Sequence, residues 1–121
     1  VAKKILVVDD SAAIRQSVTF VLQQEGFETI EAADGAEGLE TIKSNPVDMV
    51  VSDVNMPNMD GITMVSKIRE ISAFKFIPII ILTTESQNSK MDEGKAAGAT
   101  GWIVKPFTSE KLLAVVKKLL G

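Results

Sequence analysis

The chain contains no cysteine, no histidine and no tyrosine. Lack of cysteine removes disulfides, thiolate nucleophiles and zinc–thiolate sites together. Lack of histidine leaves no imidazole for general-base work or metal ligation, and no phosphohistidine on this chain. Lack of tyrosine excludes any partner contact through a phenol. Tryptophan occurs once, at position 102. Basic residues number 13 against 16 acidic ones, a net charge of −3, and the pI is about 4.9. That balance argues against nucleic acid as a direct ligand, because phosphate backbones are bound by a surplus of Lys and Arg. No apolar run reaches membrane length, and no apolar signal stretch precedes Lys3 and Lys4. A soluble, cytoplasmic protein is therefore expected. Linkers, low-complexity tracts and internal repeats are missing too.

What is present suffices for one core. The 121 residues are 45% apolar, which fits a single domain over 1–121. Short apolar runs alternate with helical spacing. Ile5 to Val8 reads as a strand, and Ile14, Val18, Val21 and Leu22 as one helix face stopped by Gly26. Phe27 to Ala32 is the second strand, Asp34-Gly35 a turn, and a helix through Leu39 and Ile42 ends before Asn45-Pro46. Asp48 to Ser52 is the third strand, followed by a loop from Val54 to Gly61 and a helix through Met64, Val65 and Ile68. Ile79 to Leu82, a polar helix around Ser89 to Ala97 stopped by Gly98, Gly101 to Val104, and a helix from Leu112 to Leu120 complete the chain. Five strands alternating with five helices, the inner strands nearly all Val, Ile and Leu, predict an α/β fold: an open, doubly wound parallel sheet.

Such sheets bind ligands beyond the carboxyl ends of their strands. Asp9 and Asp10 end the first strand, Asp53 the third, and Lys105-Pro106 the fifth. Three carboxylates crowded at one sheet edge repel unless a cation lies among them, so a divalent metal is expected. Without it, repulsion should raise at least one carboxylate pKa, and metal affinity should fall in acid.

These residues, with Thr83, Trp102 and the run Asp53-Val54-Asn55-Met56-Pro57-Asn58-Met59-Asp60-Gly61, resemble the receiver domain of two-component response regulators over the whole chain. Thr83-Thr84-Glu85 and Gly98 to Phe107 look closest to chemotaxis regulators of the CheY type. The resemblance implies a flavodoxin-like sheet of order 2-1-3-4-5. It implies Asp53 as phosphoacceptor, since a carboxylate can hold a phosphoryl group as an acyl phosphate. It also implies Mg²⁺ on Asp9, Asp10, Asp53 and the backbone carbonyl of Asn55. Lys105 would stabilise the transferred charge across a cis peptide to Pro106, and Thr83 would hydrogen-bond the phosphoryl oxygen. Thr84 competes with Thr83 in a strand too apolar for alternation to choose between them.

Trp102 departs from the Tyr or Phe more usual at the switch position, and its larger ring puts the amplitude of inward rotation in question. Asn55 and Glu85 would modulate dephosphorylation. A histidine kinase would donate the phosphoryl group, and the flagellar motor switch would be the target. The role is a signalling switch, catalysing only its own phosphorylation and dephosphorylation. The Ser89–Ala97 helix, poor in apolar anchors and carrying Gly94, reads equally as a moving part or a solvent-facing helix. Asp10 or Ser11 reads as a helix N-cap, and Lys90, Lys95, Lys117 and Lys118 as solvated charges. Three other readings stand beside this one: a receiver excised from a larger regulator or hybrid kinase, against which the length favours a stand-alone protein; an aspartate-dependent phosphatase, which needs Asp-x-Asp where this chain has Asp9-Asp10-Ser11-Ala12; and a flavin module, whose hydroxyl-rich phosphate loop is missing.

Overall fold

The computed structural model describes residues 2–84 and 88–120. The elements are β1 (Lys4–Val8), α1 (Ala12–Gln24), β2 (Glu28–Ala32), α2 (Gly35–Ser44), β3 (Met49–Asp53), α3 (Gly61–Arg69), a 3₁₀ turn (Ser72–Phe74), β4 (Ile79–Thr83), α4 (Asn88–Ala97), β5 (Gly101–Val104) and α5 (Ser109–Leu120). All strand pairs are parallel and the sheet order is β2-β1-β3-β4-β5. The doubly wound α/β expectation holds, order included.

The strands carry two cores because successive side chains leave a strand on opposite faces. Ile5 and Val7 of β1, Met49 and Val51 of β3, and Ile80 and Leu82 of β4 face one side. There they meet Val18 and Leu22 of α1 and Leu112 and Val116 of α5. Leu6, Val8, Val50, Ile79 and Ile81 face the other, against Ile42 of α2 and Met64, Val65 and Ile68 of α3. Strands covered on both faces need no polar alternation, hence their unbroken Val, Ile and Leu.

Helix ends follow local chemistry. Ser11 caps α1 by accepting the Ile14 N–H at 3.3 Å. Asp34 and Asp60 cap α2 and α3 through the N–H groups of Glu37 and Thr63. The expected Asp34-Gly35 turn is thus a helix start: Asp34 is extended and Gly35 is the first helical residue. At the end of α1 Gly26 has φ +89°. Its N–H bonds Gln23 O and the Phe27 N–H bonds Leu22 O, a paired closure that needs a left-handed residue. That closure takes up Phe27, so β2 begins at Glu28. At the other end of β3, pairing of Asp53 with Leu82 carries the strand one residue further than expected. Among the lysines read as solvated, Lys95, Lys117 and Lys118 are exposed, and Lys117 also pairs with Glu25. The Lys90 side chain lies outside the described residues.

Candidate functional site

Parallel register assembles the acids. Val8 of β1 pairs with Ser52 of β3, so the next residue on each chain segment, Asp9 and Asp53, stands beside its neighbour. One oxygen from each of Asp9, Asp10 and Asp53 lies within 4.8 Å of the others. Asp9 is 2% exposed, Asp53 is half-buried and Asp10 faces solvent.

Each carboxylate is held differently. Asp9 Oδ1 accepts the Ser11 N–H at 2.9 Å and Oδ2 accepts Lys105 Nζ at 3.2 Å. The Asp9 carbonyl accepts Arg15 Nη1, and Arg15 also pairs with Glu31 at 3.1 Å. Ser11 takes the capping role, so Asp10 is not used for it. Asp53 Oδ1 accepts the Val54 N–H at 2.8 Å and lies 3.5 Å from Lys105 Nζ. Burial pushes the Asp53 carboxyl above the ordinary carboxylate value. The Lys105 ammonium pulls it back, the Asp9 charge pushes it up again, and the Val54 N–H pulls it down; the net is upward.

Lys105 reaches the acids from the far edge strand. Its own N–H donates to Thr83 O at 2.7 Å, which fixes the start of its loop against β4. The Lys105–Pro106 peptide is cis, as the resemblance implied. Thr83 is fully buried at the end of β4, while Thr84 is exposed. Pairing of Ile81 with Trp102 places Trp102 and Thr83 on one sheet face by alternation. That face is where Trp102 packs, on the core of α2 and α3. The indole Nε1 is buried without a hydrogen-bond partner.

Asn55 is exposed in the loop after β3. Glu85 lies outside the described residues. The sequence reading passed over the buttress beneath the acceptor strand. Gly61 donates to Val54 O at 2.8 Å, and a Cβ there would overlap the Asp53 carbonyl oxygen. Gly35 donates to Met59 O at 3.0 Å and is as tightly confined. Asn58, at φ 67°, bonds Asp34 Oδ2 at 2.7 Å. A glycine opening a helix directly after the capping residue Asp60 was the available signal for Gly61. The groove between α1 and α5, lined by Ile14, Val18, Lys105, Phe107 and Leu112, opens beside the same edge.

The donor set suits a hard cation. Three carboxylates against one ammonium leave a formal surplus of two negative charges. Only oxygen is offered, as Mg²⁺ requires.

Comparison with known proteins agrees with this geometry. The family described as "Response regulator receiver domain" matches residues 5–117. Chemotaxis protein CheY1 of Helicobacter pylori is 39% identical over 120 residues, covering 98% of this chain and 97% of that protein. Chemotaxis protein CheY-3 of Vibrio cholerae is 39% identical over 117 residues, 96% of this chain and 90% of that one. Among solved structures, chemotaxis response regulator CheY4 of Vibrio cholerae aligns with a TM-score of 0.94 at 48% identity, covering 98% of this chain and 99% of that one. A CheX–CheY–BeF₃–Mg²⁺ complex from Borrelia burgdorferi aligns with a TM-score of 0.91 at 33% identity, over 98% of this chain and 90% of that one.

Proposed function

The chain belongs to the response regulator receiver domain family, and from that premise we propose that residues 1–121 act as a phosphorylation switch whose acceptor is Asp53. The observation that carries the reading is one amine, Lys105 Nζ, 3.2 Å from Asp9 and 3.5 Å from Asp53 in a three-acid cluster. An Asp53 oxygen attacks the phosphorus of a histidine kinase phosphohistidine; the new P–O bond forms as the P–N bond breaks and the electron pair returns to the imidazole. Such transfer asks a protein mainly for alignment and for positive charge near the phosphoryl oxygens. Lys105 supplies part of that charge. Asp9, Asp10, Asp53 and the Asn55 carbonyl would hold Mg²⁺, which when bound neutralises the rest. Thr83, buried at the neighbouring strand end, donates its hydroxyl to the phosphoryl group, and Trp102 on the same face follows it.

The added charge, roughly −1.5 to −2 as on other phosphorylated side chains, alters the face built from α4, β5 and α5 and so its affinity for a protein partner. The names of the relatives support a chemotaxis role; the flagellar motor switch as target and a cytoplasmic site of action belong to the same proposal. Among the described residues no helix is long and apolar enough to cross a membrane. The switch turns over only its own acyl phosphate, with Asn55 and Glu85 governing how water reaches it. Intact-mass measurement after treatment with acetyl phosphate and Mg²⁺ tests the reading. One phosphoryl group should be gained and then lost to hydroxylamine, and Asp53→Asn should gain none. Labelling on a serine or threonine would sink it.

A further inference from the structure

Helix α4 carries little apolar surface to hold it on the sheet, yet one of its residues is buried: Gly94. A Cβ at Gly94 would lie 3.0 Å from Cζ3 and 3.4 Å from Cε3 of Trp102. Ordinary carbon–carbon contact begins near 3.5 Å, so the six-membered ring of the indole occupies space that any other residue would fill. Nothing polar pins the ring there, because its Nε1 is buried without an acceptor. An unpaired buried donor is unfavourable, so fit against α4 and the core beneath it holds the ring. Glycine is also the poorest helix former after proline; it weakens α4 at the position where it admits the indole.

The carboxyl end of this helix is fastened. Arg69 of α3 donates from Nε and Nη2 to Gly98 O at 3.0 and 2.8 Å, and from Nη1 to Phe74 O at 2.9 Å. Gly98, at φ +114°, closes α4 with the Gly98 and Ala99 N–H groups on Lys95 O and Gly94 O. The carboxyl end of α4 is therefore tied to α3 and to the turn before β4. Gly94 stands one helical turn ahead of that tie.

We propose that Gly94 is a positioning residue: its missing side chain makes a seat in α4 for Trp102, so that movement of the ring swings α4 about its Arg69-held end. The seat follows from the packing alone. Its use as a relay rests on the phosphorylation reading above.

A mutant cycle separates the two. Without metal or phosphodonor, Gly94→Ala should lower the thermal unfolding midpoint although alanine is the better helix former. It should also move Trp102 emission to longer wavelength as the ring leaves its seat. In a Trp102→Leu background the same alanine should raise the midpoint. An alanine that stabilises equally in both backgrounds overturns the seat. If Gly94→Ala alone does not fold, Gly94→Ala/Trp102→Leu should; failure of both overturns it as well. With acetyl phosphate and Mg²⁺, Gly94→Ala should still gain mass at Asp53 while its emission response shrinks by about fivefold or more. An undiminished response overturns the relay. Absence of labelling in the unsubstituted chain would refute the phosphorylation reading, and the stability cycle would still decide the seat.

Discussion

Asp53 is the residue at which the cost and the use of the site coincide. Its folded-state pKa is raised, first by burial, so the folded chain holds this proton more tightly than the unfolded one. That contribution to stability is present below the ordinary carboxylate value and lost as pH rises through the raised one. In divalent-free buffer, Asp53→Asn should therefore raise the stability at neutral pH by about 1 kcal/mol and flatten its decline across that interval. Thermal melts over a pH series check both. Lys105→Met should do the reverse, since Asp9, almost wholly buried, loses its ion-pair partner. A loss of about 3 kcal/mol is expected, together with phosphoryl transfer slowed by about 100-fold, measured by denaturant titration and by rate of mass gain. The acids and Lys105 were legible in the sequence because each ends a strand. Which residue caps α1 was not, since Asp10 and Ser11 are both competent; the hydrogen bond to Ile14 selects Ser11.

Elements differ in how much freedom their glycines have, and substitution should separate two kinds. A Cβ at Gly26 meets nothing within 4 Å, so Gly26→Ala pays only for its left-handed backbone. About 1 kcal/mol should be lost, with labelling of Asp53 unchanged. Gly61→Ala has no such room, because the Asp53 carbonyl oxygen occupies it. The end of β3 must shift, which should cost about 2–4 kcal/mol and slow acceptor labelling by more than tenfold. Periodicity made every long element readable, α1 and α5 above all. It missed the 3₁₀ turn Ser72–Phe74, a single turn too short to show a period. The Asp34-Gly35 pair misleads for a related reason: the same residues that make a turn also make a helix cap, and only the extended backbone of Asp34 with its bond to Glu37 decides. Close approaches such as those at Gly35 and Gly61 depend on which segments meet in space, which local pattern does not carry.

At the scale of the whole molecule, the proposed metal site would link cation binding to folding. A cation that binds only the folded cluster stabilises by about 2.7 kcal/mol at a concentration one hundred times its Kd. The unfolding midpoint should therefore climb with Mg²⁺, and the climb should vanish in Asp9→Asn/Asp10→Asn. It should also fade as the solution is acidified and protons replace the cation on Asp53. Calorimetry at graded Mg²⁺ and pH measures both.

The sheet also divides the interior in two. Ile42 belongs to the compartment under α2 and α3, Ile103 to the one under α1 and α5, and the two cores share no residue. Ile42→Val and Ile103→Val should each cost about 1 kcal/mol, and the double variant should lose their sum to within about 0.5 kcal/mol. Lys105 opens on the α1 side, whereas Trp102 rests on the opposite one. On the reading proposed above, the switch has a foot in each room, Lys105 on one side of the wall and Thr83 with Trp102 on the other, so substitutions in either room should retune it.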